Sequence, residues 1–554
     1  MSSNDQPHTS QSANSAPDGV PAPDGAVNQI DTDYKVGQDN IQTSRFGINV
    51  DLHSTVFMVS SLVIVAFVIF TLVFPTAASG MFNAADSFLK EDLSWMFLAV
   101  ANIFVIFSIV LIFTPLSKVR LGGVDAKPDF NYLSWLAMLF AAGMGIGLIF
   151  YGVGEPLGHM GTSLAGGSDA PLGGMPGDAE GSRHLAMAAT IFHWGLHPWA
   201  IYSVVALALA LFCFNKGLPL TMRSVFYPLL GDRVWGWPGH IIDILAVFAT
   251  LFGLATSLGL GASQGAAGLE HLFGIPNTNT TVVILIIGIT AVALLSVVLG
   301  VDKGVKRLSE LNMGLALLLL VFLFIVGPTL ALCTDFFSNL WGYITYLPAL
   351  SNPVRTTDES FVHNWTVFYW AWWISWSPFV GMFIARVSRG RTVREFLIAV
   401  LIVPTVVGAI WMTVFGEVAI DQLVNQGFEG ARDAAIELQL FEVLSQLPLA
   451  AISSFIGIIL VMMFFITSSD SGSLVIDSIT AGGKVDAPVP QRVFWAVIEG
   501  VVAIALLLGG GLGALQTAVL TTGLPFMLVL LAACFSIVQG LRTEPRPGKM
   551  HLAS

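Results

Sequence analysis

Stretches of about 20 apolar residues recur along the chain, each long enough to cross a hydrocarbon layer of roughly 30 Å as a helix. By that measure there are about twelve, near 55–75, 94–115, 133–154, 184–212, 239–262, 281–299, 309–332, 364–385, 396–416, 442–468, 492–510 and 515–540. Lipid offers backbone groups no hydrogen-bond partner, so such a chain must fold as packed helices that satisfy themselves. Only 11% of the 554 residues are charged, far below the roughly 25% of soluble domains. An all-α, multi-pass membrane protein is the only class that fits.

A polar arm from Met1 to Thr55 precedes the first run, so no secretory signal is expected at its head. Its composition predicts disorder. Its acids, among them Asp18, Asp24, Asp31 and Asp39, outnumber Lys35 and Arg45; this argues against lipid-surface binding and leaves two readings, a solvated leader or a segment with a basic partner. Lysine and arginine fall after the even-numbered spans, as Lys118, Arg120, Lys216, Arg223, Lys303, Lys306, Arg389 and Lys484, whereas Lys90, Arg183, Arg355 and Arg432 are alone opposite them. The positive-inside rule then puts both termini in the cytoplasm. Cys213, Cys333 and Cys534 are too scattered for a disulfide framework or metal set and read as packing residues. The loop TSLAGGSDAPLGGMPGD lacks the ending of a phosphate loop and reads as a flexible connector. TDFFSNLWGYITYL reads as an external interfacial helix, either a headgroup anchor or a subunit contact.

Two spans carry breaks. Gly143, Gly145 and Gly147 alternate in span 3, where each glycine costs a helix roughly 1 kcal/mol. Close packing through small residues is the competing explanation, but alternate positions do not share a helical face. Span 8 contains Pro378, which cannot join the hydrogen-bond ladder. Interrupted helices five apart suggest two five-helix halves of opposite topology meeting at a midplane site.

Span 8 also holds Trp370, Trp372, Trp373 and Trp376 in WAWWISW, and span 4 holds Trp194, Trp199 and Tyr202 in FHWGLHPWAIY, with Pro198 loosening the helix. Trp372 and Trp376 share a face, while Trp370 and Trp373 point elsewhere. An interfacial belt explains Trp95, Trp235 and Trp237. Trp194, Trp199, Trp373 and Trp376 instead lie roughly 12 to 24 Å inside their spans by helical rise. Converging ring faces bind a cation that donates no hydrogen bonds, such as trimethylammonium, at about 0.5 to 2 kcal/mol per ring; packing aromatics are the plain alternative. No acid is expected mid-span in spans 3, 4 or 8, which favours a zwitterion whose carboxylate is held by the freed N–H groups of span 3.

Span 10 ends in FFITSSDSGS, where Thr467 and Ser468 offer hydroxyl oxygens to a monovalent cation beside the carbonyls of the opened span 3. Hydroxyls bonding back to their own helix are the ordinary case. Asp470 reads as solvated or paired with a loop arginine rather than as a proton carrier. His193 and His197 read as satisfied structural histidines, with titration the other possibility.

WAWWISWSPFVGMFIARVSRGRTVREF, GMGIGLIFYGVGEP, FHWGLHPWAIY and FFITSSDSGS together resemble the betaine/choline/carnitine transporter family, most closely its sodium-coupled glycine-betaine carriers. The resemblance covers the chain from span 1 to span 12. It implies a LeuT-type fold: a disordered tail (1–54), two peripheral helices (55–115), a first inverted repeat (116–332, spans 3–7), an external amphipathic helix and loop (333–363), a second repeat (364–541, spans 8–12) and a short cytoplasmic tail (542–554). Usually such proteins are trimers. The resemblance implies substrate contacts from Trp194, Trp199, Tyr202 and Trp373, with Trp376 and Trp372 along the route and Gly145 and Gly147 beside it. Phe150 and Phe383 look like cytoplasmic-side gates. One sodium site would use Ala141, Met144 and Phe464 with Thr467 and Ser468; a second would use Thr250 and Phe379. Leu254 departs from the pattern of the second site, and the tail is shorter than in osmosensing carriers. Gly147 stands where choline carriers tend to have an acid, which points to glycine betaine or a related solute such as ectoine.

The implied function is sodium symport of a betaine-type compatible solute across the cell membrane by alternating access. No cofactor beyond the coupling ion, no nucleic-acid partner and no enzymatic activity is expected. A proton-coupled or sodium-independent exchanger and a transporter-like sensor are the alternatives.

Overall fold

Helices make up nearly all the regular structure of the computed structural model, which describes residues 21–45, 48–143, 145–299, 302–354, 357–484 and 487–546. After a hairpin of β1 (Asn40–Arg45) and β2 (Ile48–His53) come α1 (Ser54–Val73), α2 (Pro75–Ser87) and α3 (Ser94–Phe113). The next group is α4 (Tyr132–Gly143), α5 (Ile146–Ala165), α6 (Ala179–Trp194) and α7 (Leu196–Ala210), then short α8 (Tyr227–Leu230), α9 (Trp237–Phe273), α10 (Asn279–Leu299) and α11 (Asp302–Val326). After α12 (Thr329–Leu350) and short α13 (Glu359–Phe361) come α14 (Val367–Val387) and α15 (Val393–Val424), then short α16 (Gly430–Asp433) and α17 (Gln439–Ser445). Finally come α18 (Ala450–Thr480) and α19 (Val489–Thr543).

Among the described residues nine helices are long and apolar enough to cross a membrane, ten if the bent pair α4–α5 is one span. That falls short of twelve for physical reasons. The 55-residue α19 is two helices joined across a kink at Gly510 and Gly511, where φ of Gly511 is 66°, so it holds both of the last two predicted spans. The tryptophan-rich α14 lies outside the apolar set. The centre of the molecule is α6, α7 and the middle of α9, whose side chains are almost all buried.

The break in span 3 is present: α4 and α5 meet at 63° across the glycines. Span 8, by contrast, is not interrupted at Pro378. Proline leaves the carbonyl four residues earlier without its helical donor, and here the Ser377 hydroxyl donates to Ile374 O at 2.6 Å, so α14 runs straight through. Span 4 breaks one turn earlier than Pro198 suggests. Gly195 leaves the helical region (φ −96°, ψ −130°) between α6 and α7, and the first N–H of α7, from Leu196, donates to the Tyr343 hydroxyl at 3.1 Å. Tyr343 comes from α12, the predicted external helix, which begins at Thr329 and presents Phe337 and Trp341 outward. The loop read as a flexible connector is pinned: Leu172 N–H donates to Asp358 at 2.9 Å and Phe361 N–H to Ser168 O at 2.9 Å. Cys213 and Cys534 are buried as expected, and Cys333 is exposed.

The arm differs most from expectation. Residues 21–45 and 48–53 lie along the basic loops, so the basic partner is the protein itself. Asp24 pairs with Arg389 at 2.8 Å, Lys216 Nζ donates to Asn28 O at 3.0 Å, and Asp51 meets Lys484. Tyr34 stacks on Trp235 at 4.1 Å and accepts from Arg223 Nη2 at 2.7 Å. Residues 1–20 and 547–554 lie outside the described residues, as does Arg355.

At the arm's root His53 is fully buried beside Arg223, and burial first, the guanidinium next, hold its imidazole down at about 3 against an ordinary 6.5. A base depressed on folding resists protonation only in the folded state, so its contribution is complete above pH 6.5 and is lost as pH falls toward 3. Hydrogen-exchange protection factors of residues 34–45 and 48–53, corrected for the intrinsic pH dependence of exchange, should therefore fall between pH 7.5 and 5, and His53→Gln should flatten that dependence. An unchanged pH profile in the variant would remove His53 from the explanation.

Candidate functional site

Where α4 stops and α5 starts, α7, α14 and α18 close around a cavity of about 240 Å³. Gly145 is the N-cap of α5, and a Cβ there would meet nothing within 4 Å. Gly147 is the opposite case. A Cβ would lie 2.5 Å from Trp194 Cη2 and 2.9 Å from Trp372 Cη2, so the absent side chain is what admits both indoles.

The cavity is walled by Trp194, Trp199, Tyr202, Trp372, Trp373 and Trp376. Trp373 stacks on Trp372 at 4.9 Å and 14°, and meets Trp194 edge to face at 4.9 Å and 73°. Trp199 and Tyr202 form a second edge-to-face pair at 5.3 Å, with Tyr202 6.2 Å from Trp373. Edge-to-face rings point their partners' electron-rich faces in different directions, which suits a globular apolar cation better than a flat one. The N–H groups of Trp372, Trp373 and Trp376 are taken up elsewhere. Trp372 donates to Ser257 at 3.1 Å, Trp376 to the same hydroxyl at 2.9 Å, and Trp373 to His193 O at 3.0 Å. The rings are therefore fixed in rotation, with their faces left for the cavity.

The shared partner Ser257 bears out the expected common face of Trp372 and Trp376. Trp370 is packing: it stacks on His197 at 5.1 Å and lies outside the cavity wall. His193 bonds Thr366 at 2.9 Å and is structurally satisfied, whereas His197 bonds Asn102 at 2.8 Å through Nε2 but its buried Nδ1 has no hydrogen-bond partner among the described residues.

Below the indoles the wall continues through Ala141, Phe379, Phe383, Phe464, Thr467 and Ser468. Met144 lies outside the described residues. Thr467 and Ser468 are not at a helix end, because α18 continues to Thr480. The Thr467 hydroxyl donates to Met463 O at 3.0 Å and Phe464 O at 3.1 Å. Asp470 is buried in the same helix and paired with Arg492 at 3.1 Å. Phe150 and Thr250 stand apart from the cavity. Phe150 packs on Tyr151 at 4.8 Å, and Thr250 donates to Ala246 O at 2.7 Å within its own helix. Leu254 packs against Gly472.

Exposure along α14 rises from 0% at Tyr369 and 1% at Trp372 through 7% at Trp373 to 37% at Phe383. Phe383, the most exposed of the cavity-lining residues of α14, lies at the end of that helix nearer Arg389, which the arm holds.

The description BCCT, betaine/carnitine/choline family transporter, fits residues 55–546. The chain belongs to that family. Among its relatives, a glycine betaine/proline/choline transporter of Vibrio parahaemolyticus is 60% identical over 536 residues, covering 95% of this chain and 97% of that one. A glycine betaine transporter of Bacillus subtilis is 42% identical over 496 residues, 89% and 95% of the two chains. This BCCT protein is accordingly a multi-pass membrane transporter.

Four contributors to the transporter's site were not singled out beforehand. Ser257 orients two indoles, and Ser309 and Asn312 of α11 line the cavity, with Asn312 Oδ1 buried and lacking a partner among the described residues. Glu155 corrects the expectation of acid-free spans. The apolar run ends at 154, but α5 continues to Ala165 and buries Glu155 completely, its Oε2 accepting from Trp194 Nε1 at 2.8 Å. The letters YGVGEP held the only signal, an acid before a proline inside a helix that packing extends.

Proposed function

We propose that the protein carries glycine betaine by sodium-coupled symport and alternating access. The observation that carries this reading is the aromatic box around Trp373, which meets Trp194 and Tyr202 edge to face while its own N–H is taken up by His193 O. A trimethylammonium group gains from ring faces without needing a hydrogen-bond acceptor. The N-terminus of α5, opening at Gly145 on the same cavity, supplies N–H groups and the positive end of a helix dipole for the carboxylate. Phe383, the most exposed of the cavity-lining residues of α14, offers a side for entry, as one half of an alternating-access cycle requires.

Sodium is assigned to carbonyls of Ala141 and Phe464 with the hydroxyls of Thr467 and Ser468, completed by Met144, as the family resemblance implies. We take this as the single coupling site, since Leu254 departs from the second-site pattern that the family resemblance implies. Membership in the family further supports a homotrimer in the cell membrane, surrounded by lipid, with osmoprotection as its use. The arm's contacts with the basic loops support a cytoplasmic entry side.

Radiolabelled glycine betaine uptake into proteoliposomes tests the reading. Accumulation is expected under an inward sodium gradient and not with potassium. Ser468→Ala and Thr467→Ala should each raise the half-saturating sodium concentration about tenfold, the effect of losing one ion–hydroxyl contact of roughly 1–2 kcal/mol. Equal uptake in potassium would favour an exchanger or proton coupling, consistent with the back-bonded Thr467 hydroxyl.

A further inference from the structure

Behind the face that Trp194 turns to the cavity lies a closed group of polar side chains from three helices. Glu155 of α5 is 0% exposed and does not line the cavity. Its Oε2 accepts from Trp194 Nε1 at 2.8 Å and from the Tyr369 hydroxyl at 2.6 Å. Its Oε1 faces His193 Nδ1 at 2.5 Å and His159 Nε2 at 3.2 Å.

Four hydrogen bonds converge on the Glu155 carboxylate, and neutral partners can supply them all: the indole N–H, the phenol, Nδ1–H of His193 and Nε2–H of His159. In that arrangement His193 Nε2 accepts from the Thr366 hydroxyl, 2.9 Å away. His159 Nδ1 is buried without a partner among the described residues, and a second N–H there would be stranded. We take both rings in this neutral form, which leaves the negative charge on Glu155 uncancelled. The three ligand atoms of Glu155, His159 and His193 lie within 4.8 Å of one another, near enough for a metal ion. Both nitrogens of His193 are already engaged by protein groups, so the trio is closed by its own hydrogen bonds.

We propose that Glu155 is a specificity-determining positioning residue, an anion that acts on the cargo through Trp194 and favours a cationic headgroup over an uncharged one of the same shape. The proposal rests on the reading of the box as a quaternary-ammonium site. Two effects act together. The charge-assisted bond from Trp194 Nε1 locks the ring in the plane that meets Trp373 edge to face. In a low-dielectric interior the same bond polarises the indole toward its outer face, and cation–π attraction is electrostatic in origin. The buried carboxylate does what an acid inside the cavity would do, without offering the cargo an oxygen to bind.

Titration calorimetry on the purified full-length protein in saturating sodium tests this with two ligands, glycine betaine and its carbon isostere 3,3-dimethylbutanoate. Wild-type protein should prefer glycine betaine; failure to bind it at all would sink the substrate reading, and this proposal with it. Glu155→Gln should weaken glycine betaine about tenfold while leaving the isostere within about twofold, so that the ratio narrows. A purely structural role for Glu155 predicts equal losses for both ligands, and that outcome overturns the proposal. Trp194→Phe keeps a ring but removes the N–H; in that background Glu155→Gln should no longer change the ratio. A full tenfold change there would mean that Glu155 acts by some route other than the indole. If Glu155→Gln does not fold, Trp194→Phe alone decides, since it should narrow the ratio in the same direction with Glu155 intact.

Discussion

Trp373→Leu should lower glycine betaine uptake efficiency at least about thirtyfold, the equivalent of one desolvated cation–π contact of about 2 kcal/mol. This ring touches three of the other wall rings: it stacks on Trp372, meets Trp194 edge to face and reaches Tyr202. Leucine retains apolar bulk, so a loss confined to affinity would assign the effect to the ring face rather than to a collapsed core. Trp370→Phe is the matched control. Trp370 stacks on His197, and its N–H has no partner among the described residues, so kinetics should be little changed. Equal losses in the two variants would mean that the tryptophans act as packing, and the box would have to be abandoned.

The second large effect is expected at Gly147. Gly147→Ala places a methyl group against Trp194 and Trp372, and neither ring has room to retreat, because Trp194 is bonded to Glu155 and Trp372 to Ser257. Overpacking of this kind costs roughly 1–3 kcal/mol, a ten- to hundredfold loss of affinity. Gly145→Ala, two residues away, meets open space and an extended backbone (φ −147°, ψ 177°), so its effect should stay within about threefold by the same measure. Comparison of KM for the two alanine variants checks the prediction, and comparable defects would locate the sensitivity in the glycine backbone instead of the indole packing. An aspartate at Gly147 should fail for the same steric reason, whatever charge the cargo carries.

Much of the architecture could be read from the chain because hydropathy is a local property. Uninterrupted apolar runs such as Ser54–Val73, Ser94–Phe113 and Asn279–Leu299 reappear as helices with nearly the predicted ends. Errors gather where polar groups are buried by tertiary contacts that no local rule sees. Glu155 and the segment Thr467 to Asp470 looked like span boundaries, yet both lie within helices, because Trp194, Tyr369 and the histidines receive the first and Arg492 the second. Pro378 looked like a break until Ser377 supplied the missing donor. Gly195 made a break that the neighbouring proline obscured, with Tyr343 of a distant helix capping it. The arm was misjudged because its composition resembles a disordered leader, while its order comes from arginines and lysines hundreds of residues away. The aromatic wall, in contrast, was visible in the spacing of the indoles, since residues on adjacent helical faces at mid-membrane depth have few places to point.

The unbroken course of α14 past Pro378 has a mechanical meaning. Across the cavity, α4 and α5 are joined by an elbow at the glycines, so one half can swing while the other stays seated. No such joint interrupts α14, which carries Trp372, Trp373, Trp376 and Phe383 on one continuous helix. On the proposed reading the cargo sits between a continuous wall that keeps the indoles in register and a jointed one that can adjust around it.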